Sequence, residues 1–368
     1  MKRWIIALCL LALLRPCGAL AENVESGEND GDRVYSLFDQ NGELLTRRGG
    51  RMYVDDEYIS SDNQLYRVVQ VDDMQGTAVA EHLGAEPAIS SNNATAVSAT
   101  IDQAQGKKLI CMYSTHSDES YEPTDGASSK TEDAGIYDVG NSLKESLEKL
   151  GIEVVYSEQT HLPHDAAAYR RSRQTAEELL KKQPDALLDL HRDGIPDPAE
   201  YESEVDGEEV SQVRLLVGRS NPNADANRAF AKRIKAVADE KYPGLIKDIY
   251  VGKGNYNQEL YPQALLLELG THTIDKDLAI KSTDYVADVL NDVLFGGESA
   301  KASPATGQQE NKAGAKGIAW IIGIAIAAAA LYALVATGKL DGMKQKLARG
   351  ASELTGGAAG KKPDDEDK

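Results

Sequence analysis

Cysteine is scarce in this sequence, which contains three in 368 residues. Cys9 and Cys17 fall in an N-terminal stretch that we expect to be cleaved off, so that Cys111 would remain alone. A single thiol can form no internal disulfide bond, and it cannot supply the four ligands of a structural zinc finger. The sequence therefore excludes a fold that depends on cysteine.

Basic residues are also in short supply, because 40 Lys and Arg stand against 59 Asp and Glu, which gives a formal net charge of −19. Nucleic acids are bound through clusters of Lys and Arg that neutralise phosphates, and a chain this acidic repels them. We therefore expect no nucleic-acid partner. Apolar residues make up 41% of the chain, which is enough for a globular core.

The N-terminal end carries the features of an export signal. Residues 1–21 combine the cations Lys2 and Arg3, a short apolar run and a small-x-small site at 19–21, which predicts a cleaved signal peptide. An uncleaved N-terminal anchor is the alternative. The acidic stretch over 22–32 is expected to be flexible.

A longer apolar segment lies towards the C-terminus. Residues 317–337 contain no charged side chain and are long enough to cross about 30 Å of hydrocarbon as a helix. Four cations over 339–349 place the tail, 338–368, in the cytoplasm. This pattern predicts a single-pass protein of the cell membrane whose folded part lies outside the cytoplasm, joined to the span by a polar linker over 297–316. A buried alanine-rich helix is the alternative.

The stretch from 33 to 84 is rich in β-prone residues, as over 65–71, with turn signals such as Asn41-Gly42 between them. It predicts a small β-rich module, and a β extension of the following domain is the alternative. Residues 85–106 are rich in Ala, Ser, Asn and Thr without apolar periodicity, and they are predicted to be a linker.

From 107 to 296, short apolar runs alternate with amphipathic stretches, which is typical of an α/β domain. Strands are predicted over 109–113, 153–156, 186–190, 213–217 and 264–269. Helices are predicted over 139–150, 173–182, 224–241 and 276–294. The expected fold class is α/β, with a mixed sheet flanked by helices, and functional residues are expected at the carboxyl ends of the strands.

Three of these strands end in residues that can bind a metal. His116 and Glu119 follow the first strand, His191 lies at the end of another, and Glu268 ends a third. Two imidazoles and one carboxylate form a recurrent catalytic zinc set with one coordination position left open. We therefore predict a zinc site at His116, Glu119 and His191, although any one of them alone is more often an ordinary hydrogen-bonded residue.

Glu268 is then available for proton transfer. A carboxylate beside the metal can take a proton from water and pass it to a leaving nitrogen, as the hydrolysis of an amide requires. A cap for the following helix is the alternative. Arg192 is predicted to stabilise an oxyanion or to bind a substrate carboxylate. His161 and His164 occupy a polar loop, where substrate contact or support of the ligands competes with simple exposure.

These segments resemble the stage II sporulation protein P family of zinc-dependent N-acetylmuramoyl-L-alanine amidases. The matching motifs, which span roughly 107–295, are YSTHSDESY at 113–121, VGNSL at 139–143, DLHRD at 189–193, VGRSNPN at 217–223, YNQEL at 256–260 and LLLELG at 265–270. The resemblance implies a zinc amidase fold, and hydrolysis of the amide bond between N-acetylmuramic acid and L-alanine in peptidoglycan.

The same resemblance implies residue roles. His116 and His191 would be zinc ligands, and Glu268 the catalytic acid and base. The third ligand would be Glu119 or, as in many related amidases, Glu132 just before the first helix. The residues expected to line the substrate cleft are Asn223, Asn257 and Gln258.

Members of this family remodel the septal wall during spore engulfment, with membrane-bound sporulation partners, and such partners are expected here. Two departures leave a vegetative wall hydrolase open: the anchor is C-terminal rather than N-terminal, and the segment after Glu268 reads Thr-His-Thr-Ile-Asp at 271–275. A catalytically inactive, membrane-anchored wall-binding or scaffold protein on the same fold is the alternative from another class. A carboxypeptidase acting on stem peptides is a third reading.

Overall fold

The computed structural model describes residues 33–87 and 107–296. Several predictions lie outside these ranges and stay predictions: the signal peptide, the flexible segment after it, most of the 85–106 linker, the 297–316 linker, the 317–337 span and the tail. Within the described ranges, no helix is both long and apolar enough to cross a bilayer.

The described residues form thirteen strands, of which eleven share one sheet and two form a separate hairpin. The first seven are β1 (Val34–Asp39), β2 (Leu44–Gly49), β3 (Glu57–Ile59), β4 (Gln64–Asp72), β5 (Thr77–Ala85), β6 (Leu109–Tyr113) and β7 (Glu153–Tyr156). The others are β8 (Ala186–Asp193), β9 (Glu202–Val205), β10 (Glu208–Ser211), β11 (Val213–Gly218), β12 (Ile246–Gly252) and β13 (Ala264–Thr271). The helices are α1 (Glu122–Asp125), α2 (Gly135–Lys149), α3 (Ala168–Leu180), α4 (Ala224–Lys241) and α5 (Lys276–Phe295).

The large sheet is mixed, as expected. Its strand order is β2-β1-β5-β4-β3-β12-β11-β13-β8-β6-β7. The pairs β7–β6, β6–β8 and β8–β13 are parallel, whereas β11 is antiparallel to β13. The carboxyl ends of β6, β8 and β13 therefore meet at one edge of the sheet.

The N-terminal strands belong to the same sheet. The β-rich stretch predicted over 33–84 contains β1–β5, and β3 pairs antiparallel with β12. It is therefore attached as an extension of the main sheet, which is the alternative that the sequence left open.

Helices cover both faces of the sheet. On β6, Ile110 and Met112 pack in the core formed with α2, α4 and α5, whereas Cys111 points to the opposite face and packs with α3. This alternation follows from the period of two in a strand. The sheet therefore has one face covered by α2, α4 and α5 and an opposite face that carries α3, which we call the α3 face. The candidate site is built on the α3 face.

Candidate metal centre and cleft

The candidate site forms where three parallel strands end side by side. Asp189 of β8 is in register with Tyr113 of β6, and His191 of β8 is in register with Glu268 of β13. Leu188 and Leu190 of β8 pack in the core on the side of α2, α4 and α5, as do Leu265, Leu267 and Leu269 of β13. His191 and Glu268 alternate with these leucines, so both point to the α3 face. The loop after β6 brings His116 and Glu119 to the same place.

His116, Glu119 and His191 form a compact, buried group. One ligand atom from each lies within 4.8 Å of the others. His116 Nδ1 is 3.3 Å from Glu119 Oε1, and His191 Nδ1 is 3.5 Å from Glu119 Oε2. The two predicted imidazoles are thus brought together with Glu119, whereas the alternative ligand Glu132 is exposed on the surface. The donor set is of the kind that zinc takes in catalytic sites.

Asp189 fixes the orientation of His191, and sequence reasoning did not identify this residue. Its Oδ1 lies 3.0 Å from His191 Nε2, so Nδ1 is the nitrogen turned towards Glu119. Asp189 is held in turn by Thr115, whose backbone N–H and hydroxyl donate at 2.8 and 2.6 Å. A carboxylate behind a ligating imidazole fixes its tautomer and raises its basicity. The Asp-x-His spacing on a strand, which places both side chains on one face, is the signal that could have identified Asp189.

Arg192 holds Glu119 and the loop after β6. Its backbone N–H donates to Glu119 Oε2 at 2.9 Å, and its guanidinium lies 3.7 Å from Glu119 Oε1. The guanidinium also donates to the carbonyl oxygens of Ser120 and Ser128. These contacts make Arg192 a support of the ligand set, and its predicted contact with substrate stays a prediction.

Burial and neighbouring charges shift the pKa of each of the three residues. Burial lowers the pKa of His116, which favours the neutral imidazole that a metal requires. Burial would raise the pKa of Glu119, but the charges of His191 and Arg192 hold it well below its usual range. Burial would lower the pKa of His191, but Asp189 and Glu119 raise it well above its usual range.

A cleft of about 700 Å³ opens over this group. Its walls include the three residues above together with Glu268, His164 and His272. Glu268 is only 7% exposed, so its carboxylate lies at the base of the cleft beside His191. This position suits a proton-transfer group, and that role of Glu268 stays a prediction.

The two histidines of the polar loop differ sharply in their surroundings. His161 is buried, contrary to the exposed position considered for this loop. Both of its ring nitrogens are hydrogen-bonded, one to Ser114 O and the other to Thr175 Oγ1, at 2.8 Å each. His164 lies in the cleft wall, and its ring stacks on that of His116 with centroids 3.8 Å apart. Burial would lower the pKa of His164, but the hydrogen bond to Asp118 raises it.

The N-terminal strands close one side of the cleft. Val34, Gly49 and Gly50 line it, and the Gly49 N–H donates to Asp193 Oδ1 at 2.6 Å. A Cβ at Gly49 would lie 2.8 Å from the backbone of Gly194, so only glycine allows this approach. Sequence reasoning did not connect this segment with the site.

The three residues expected to line the cleft from the family resemblance do not lie in it. Asn257 is buried and donates to Tyr169 O at 3.0 Å. Gln258 bonds the backbones of Gly218 and Leu216, both at 2.8 Å. Asn223 donates to Glu259 O at 2.9 Å. Their side-chain amides instead bond backbone groups of neighbouring strands, helices and turns, and so take part in holding the fold together.

Comparisons with known proteins give one family and several relatives. A model of the family described as "Stage II sporulation protein P (SpoIIP)" matches residues 44–291. The stage II sporulation protein P of Bacillus subtilis (strain 168) is 26% identical over 216 residues, in an alignment that covers 54% of this chain and 54% of that protein. The chain thus spans about half the length of this curated relative.

Two solved amidase structures are also similar. One is an N-acetylmuramoyl-L-alanine amidase from Clostridium difficile 630, with a TM-score of 0.33 and 14% identity over 53% of this chain and 99% of that one. The other is the CwlD amidase from Clostridioides difficile in complex with the GerS lipoprotein, with a TM-score of 0.32 and 10% identity over 51% and 98%. Scores this low do not establish a shared fold. The family match, by contrast, covers well over half of the sequence, and the chain belongs to the stage II sporulation protein P family.

Proposed function

We propose that this chain is a zinc-dependent N-acetylmuramoyl-L-alanine amidase that hydrolyses the amide bond between glycan and stem peptide in peptidoglycan. The observation that carries the proposal is the buried group His116, Glu119 and His191 with Glu268 beside it at the base of one cleft. Family membership supports a substrate in the bacterial cell wall and a role in sporulation.

His116, Glu119 and His191 are the residues that would hold the zinc ion. Their donor atoms lie close together, they are shielded from water, and Asp189 already orients one imidazole. When bound, zinc supplies Lewis acidity towards the carbonyl oxygen of an amide. The chemistry of this donor set therefore fits the metal that the family resemblance implies.

Glu268 carries the proton in the proposed reaction. It takes a proton from the attacking water and delivers it to the nitrogen of the stem peptide as the C–N bond breaks. Without that proton the leaving group would be an amine anion, which is a very poor leaving group. A side chain in this role contributes a factor of roughly 10²–10⁴ to the rate.

The place of action is part of the proposal. The apolar segment over 317–337 and the cations after it support a single-pass protein with its catalytic part outside the cytoplasm. Membrane-bound sporulation proteins are the partners that the family suggests.

Mass analysis of the products released from purified peptidoglycan tests the activity. The zinc-loaded full-length protein is expected to release intact stem peptides with a free N-terminal alanine, and Glu268→Gln is expected to lose that activity while keeping its zinc. Release of single C-terminal amino acids would instead identify a carboxypeptidase. No release from wall that an unrelated amidase digests would support the inactive scaffold.

A further inference from the structure

His164 occupies a position in the cleft that the proposed reaction does not use. Its side chain is about one third exposed, and the exposed part faces the cleft. The ring stacks on His116, whereas Glu268 neighbours His191 on the sheet. His164 and Glu268 thus approach the ligand group at its two different imidazoles.

One nitrogen of His164 is anchored by a buried carboxylate. Asp118 Oδ1 lies 3.0 Å from His164 Nδ1, and Asp118 Oδ2 accepts the Ser129 hydroxyl at 2.5 Å. A carboxylate can only accept, so Nδ1 carries the proton. Asp118 is 5% exposed and stands between the ligands His116 and Glu119 in the chain, so the anchor is built into the ligand loop.

The second nitrogen of His164 faces the cleft. Among residues 33–87 and 107–296, none hydrogen-bonds to Nε2. In the neutral ring, the proton on Nδ1 leaves a lone pair on Nε2, which accepts a hydrogen bond from an N–H or O–H group. Arg171 holds the loop in place by donating to His161 O at 2.6 Å, so the nitrogen is presented from a fixed position.

We propose that His164 is a substrate-binding residue, whose Nε2 accepts a hydrogen bond from a polar group of the muropeptide next to the scissile amide. This inference rests on the proposed function, because it takes its ligand from there. The donor is a peptide N–H of the stem or a hydroxyl of the sugar, two groups that the same substrate carries on either side of the bond. We expect His164 to bind substrate because its partner Asp118 is buried. Burying a carboxylate costs free energy, and a histidine that only covered the surface would not need such a partner.

Binding by zinc-loaded, full-length Glu268→Gln protein tests this assignment without turnover. The probes are a soluble muramoyl-peptide, a glycan fragment without stem peptides and a free stem peptide. Adding His164→Ala is expected to raise the dissociation constant for the muramoyl-peptide roughly 3- to 10-fold, which is the size of one hydrogen bond. His164→Gln retains an acceptor and is expected to recover part of the loss.

The two fragments identify the side of the contact, since the effect of His164→Ala should persist with only one of them. His82→Ala is the matched control, because His82 is exposed on β5 and bonds Gln64. Zinc content should stay unchanged in every variant.

A dissociation constant that changes less than twofold would overturn the assignment, as would loss of zinc, which would make His164 a ligand. A second measurement uses the active protein, which keeps Glu268. If this protein and its His164→Ala variant cleave wall equally well, this inference fails and the proposed function stands. If His164→Ala weakens binding but the parent cleaves nothing, the binding site stands and the amidase proposal fails. Absence of binding to all three probes rejects both.

Discussion

Glu268 and His191 are direct neighbours across the parallel pairing of β13 and β8, on the same face of the sheet. The row continues on the other side of Glu268, because Arg214 of β11 is in register with it and Asp248 of β12 is in register with Arg214. Four adjacent strands thus place two carboxylates, a guanidinium and an imidazole in one row across the sheet, in the order Asp248, Arg214, Glu268 and His191. The proton-transfer residue is therefore positioned by the sheet itself, which is more rigid than a loop.

The buried guanidinium in this row is expected to be essential for stability. Arg214 donates to Asp248 at 2.7 and 2.9 Å and to Asp193 at 2.7 Å. Arg214→Met leaves two buried carboxylates without their partner, so we expect a loss of about 3–5 kcal/mol in the free energy of unfolding. Urea denaturation measures it. Arg51→Met, which removes a surface pair with Asp73, should cost at most about 1 kcal/mol. Equal effects of the two variants would refute the argument.

Asp189 is expected to control zinc affinity. Asp189→Asn removes the carboxylate charge that lies 3.0 Å from His191 Nε2, so the imidazole loses a group that orients it and part of its basicity. We expect affinity for zinc to fall by a factor of roughly 10–100, as measured by competition with a chelator. Asp185→Asn is the control, since Asp185 bonds Leu109 N near the other end of the same strand. Unchanged affinity in Asp189→Asn would show that this contact is only structural.

The N-terminal wall of the cleft is expected to depend on the absence of a side chain at position 49. In Gly49→Ala the new methyl group would meet the Gly194 backbone at 2.8 Å and Asp193 Oδ1 at 2.9 Å. Such overpacking costs about 1–3 kcal/mol of folding free energy, and the displaced strand should also lower wall cleavage. Leu44→Ala, at the exposed start of the same strand, should change neither. Gly49→Ala protein with parental stability and activity would mean that β2 is not a fixed wall.

The pH dependence of stability should report on Glu200. Burial would raise its pKa, but Lys247 and Arg47 lower it below the ordinary value of 4.5. A lowered folded pKa stabilises the protein above about pH 4.5, and this contribution is lost as the pH falls through the folded pKa. Glu200→Gln should therefore cost about 1 kcal/mol at pH 7, with the difference shrinking in acid. A difference in unfolding free energy between Glu200→Gln and the parent that stays constant with pH would contradict the assignment.

The sequence predicted the parts of the site that are local in the chain. His116, His191 and Glu268 each follow or end an apolar strand, and parallel strands bring such ends together, so their convergence was foreseeable. The choice between Glu119 and Glu132 was not, because it depends on which loop residue turns inwards. Asp118 and His164 are 46 positions apart, and no local pattern connects them.

The fold shows the same division. The predicted strand over 109–113 matches β6, but α3 begins at Ala168 rather than near 173. Strand β12 was missed, because Lys247 and Asp248 interrupt its apolar run, and the partner that allows Asp248 to be buried lies on another strand. The attachment of β1–β5 to the main sheet likewise rests on pairing between distant segments, which periodicity does not encode.

Anomalous X-ray diffraction at the zinc absorption edge, on crystals of the zinc-loaded protein, tests the central claim most directly. We expect one strong peak at about 2.0–2.2 Å from a ring nitrogen of His116, a ring nitrogen of His191 and a carboxylate oxygen of Glu119, with Glu268 next to it but not bound. A peak ligated by Glu132 or Glu268 in place of Glu119, or no peak between the two imidazoles, would contradict it.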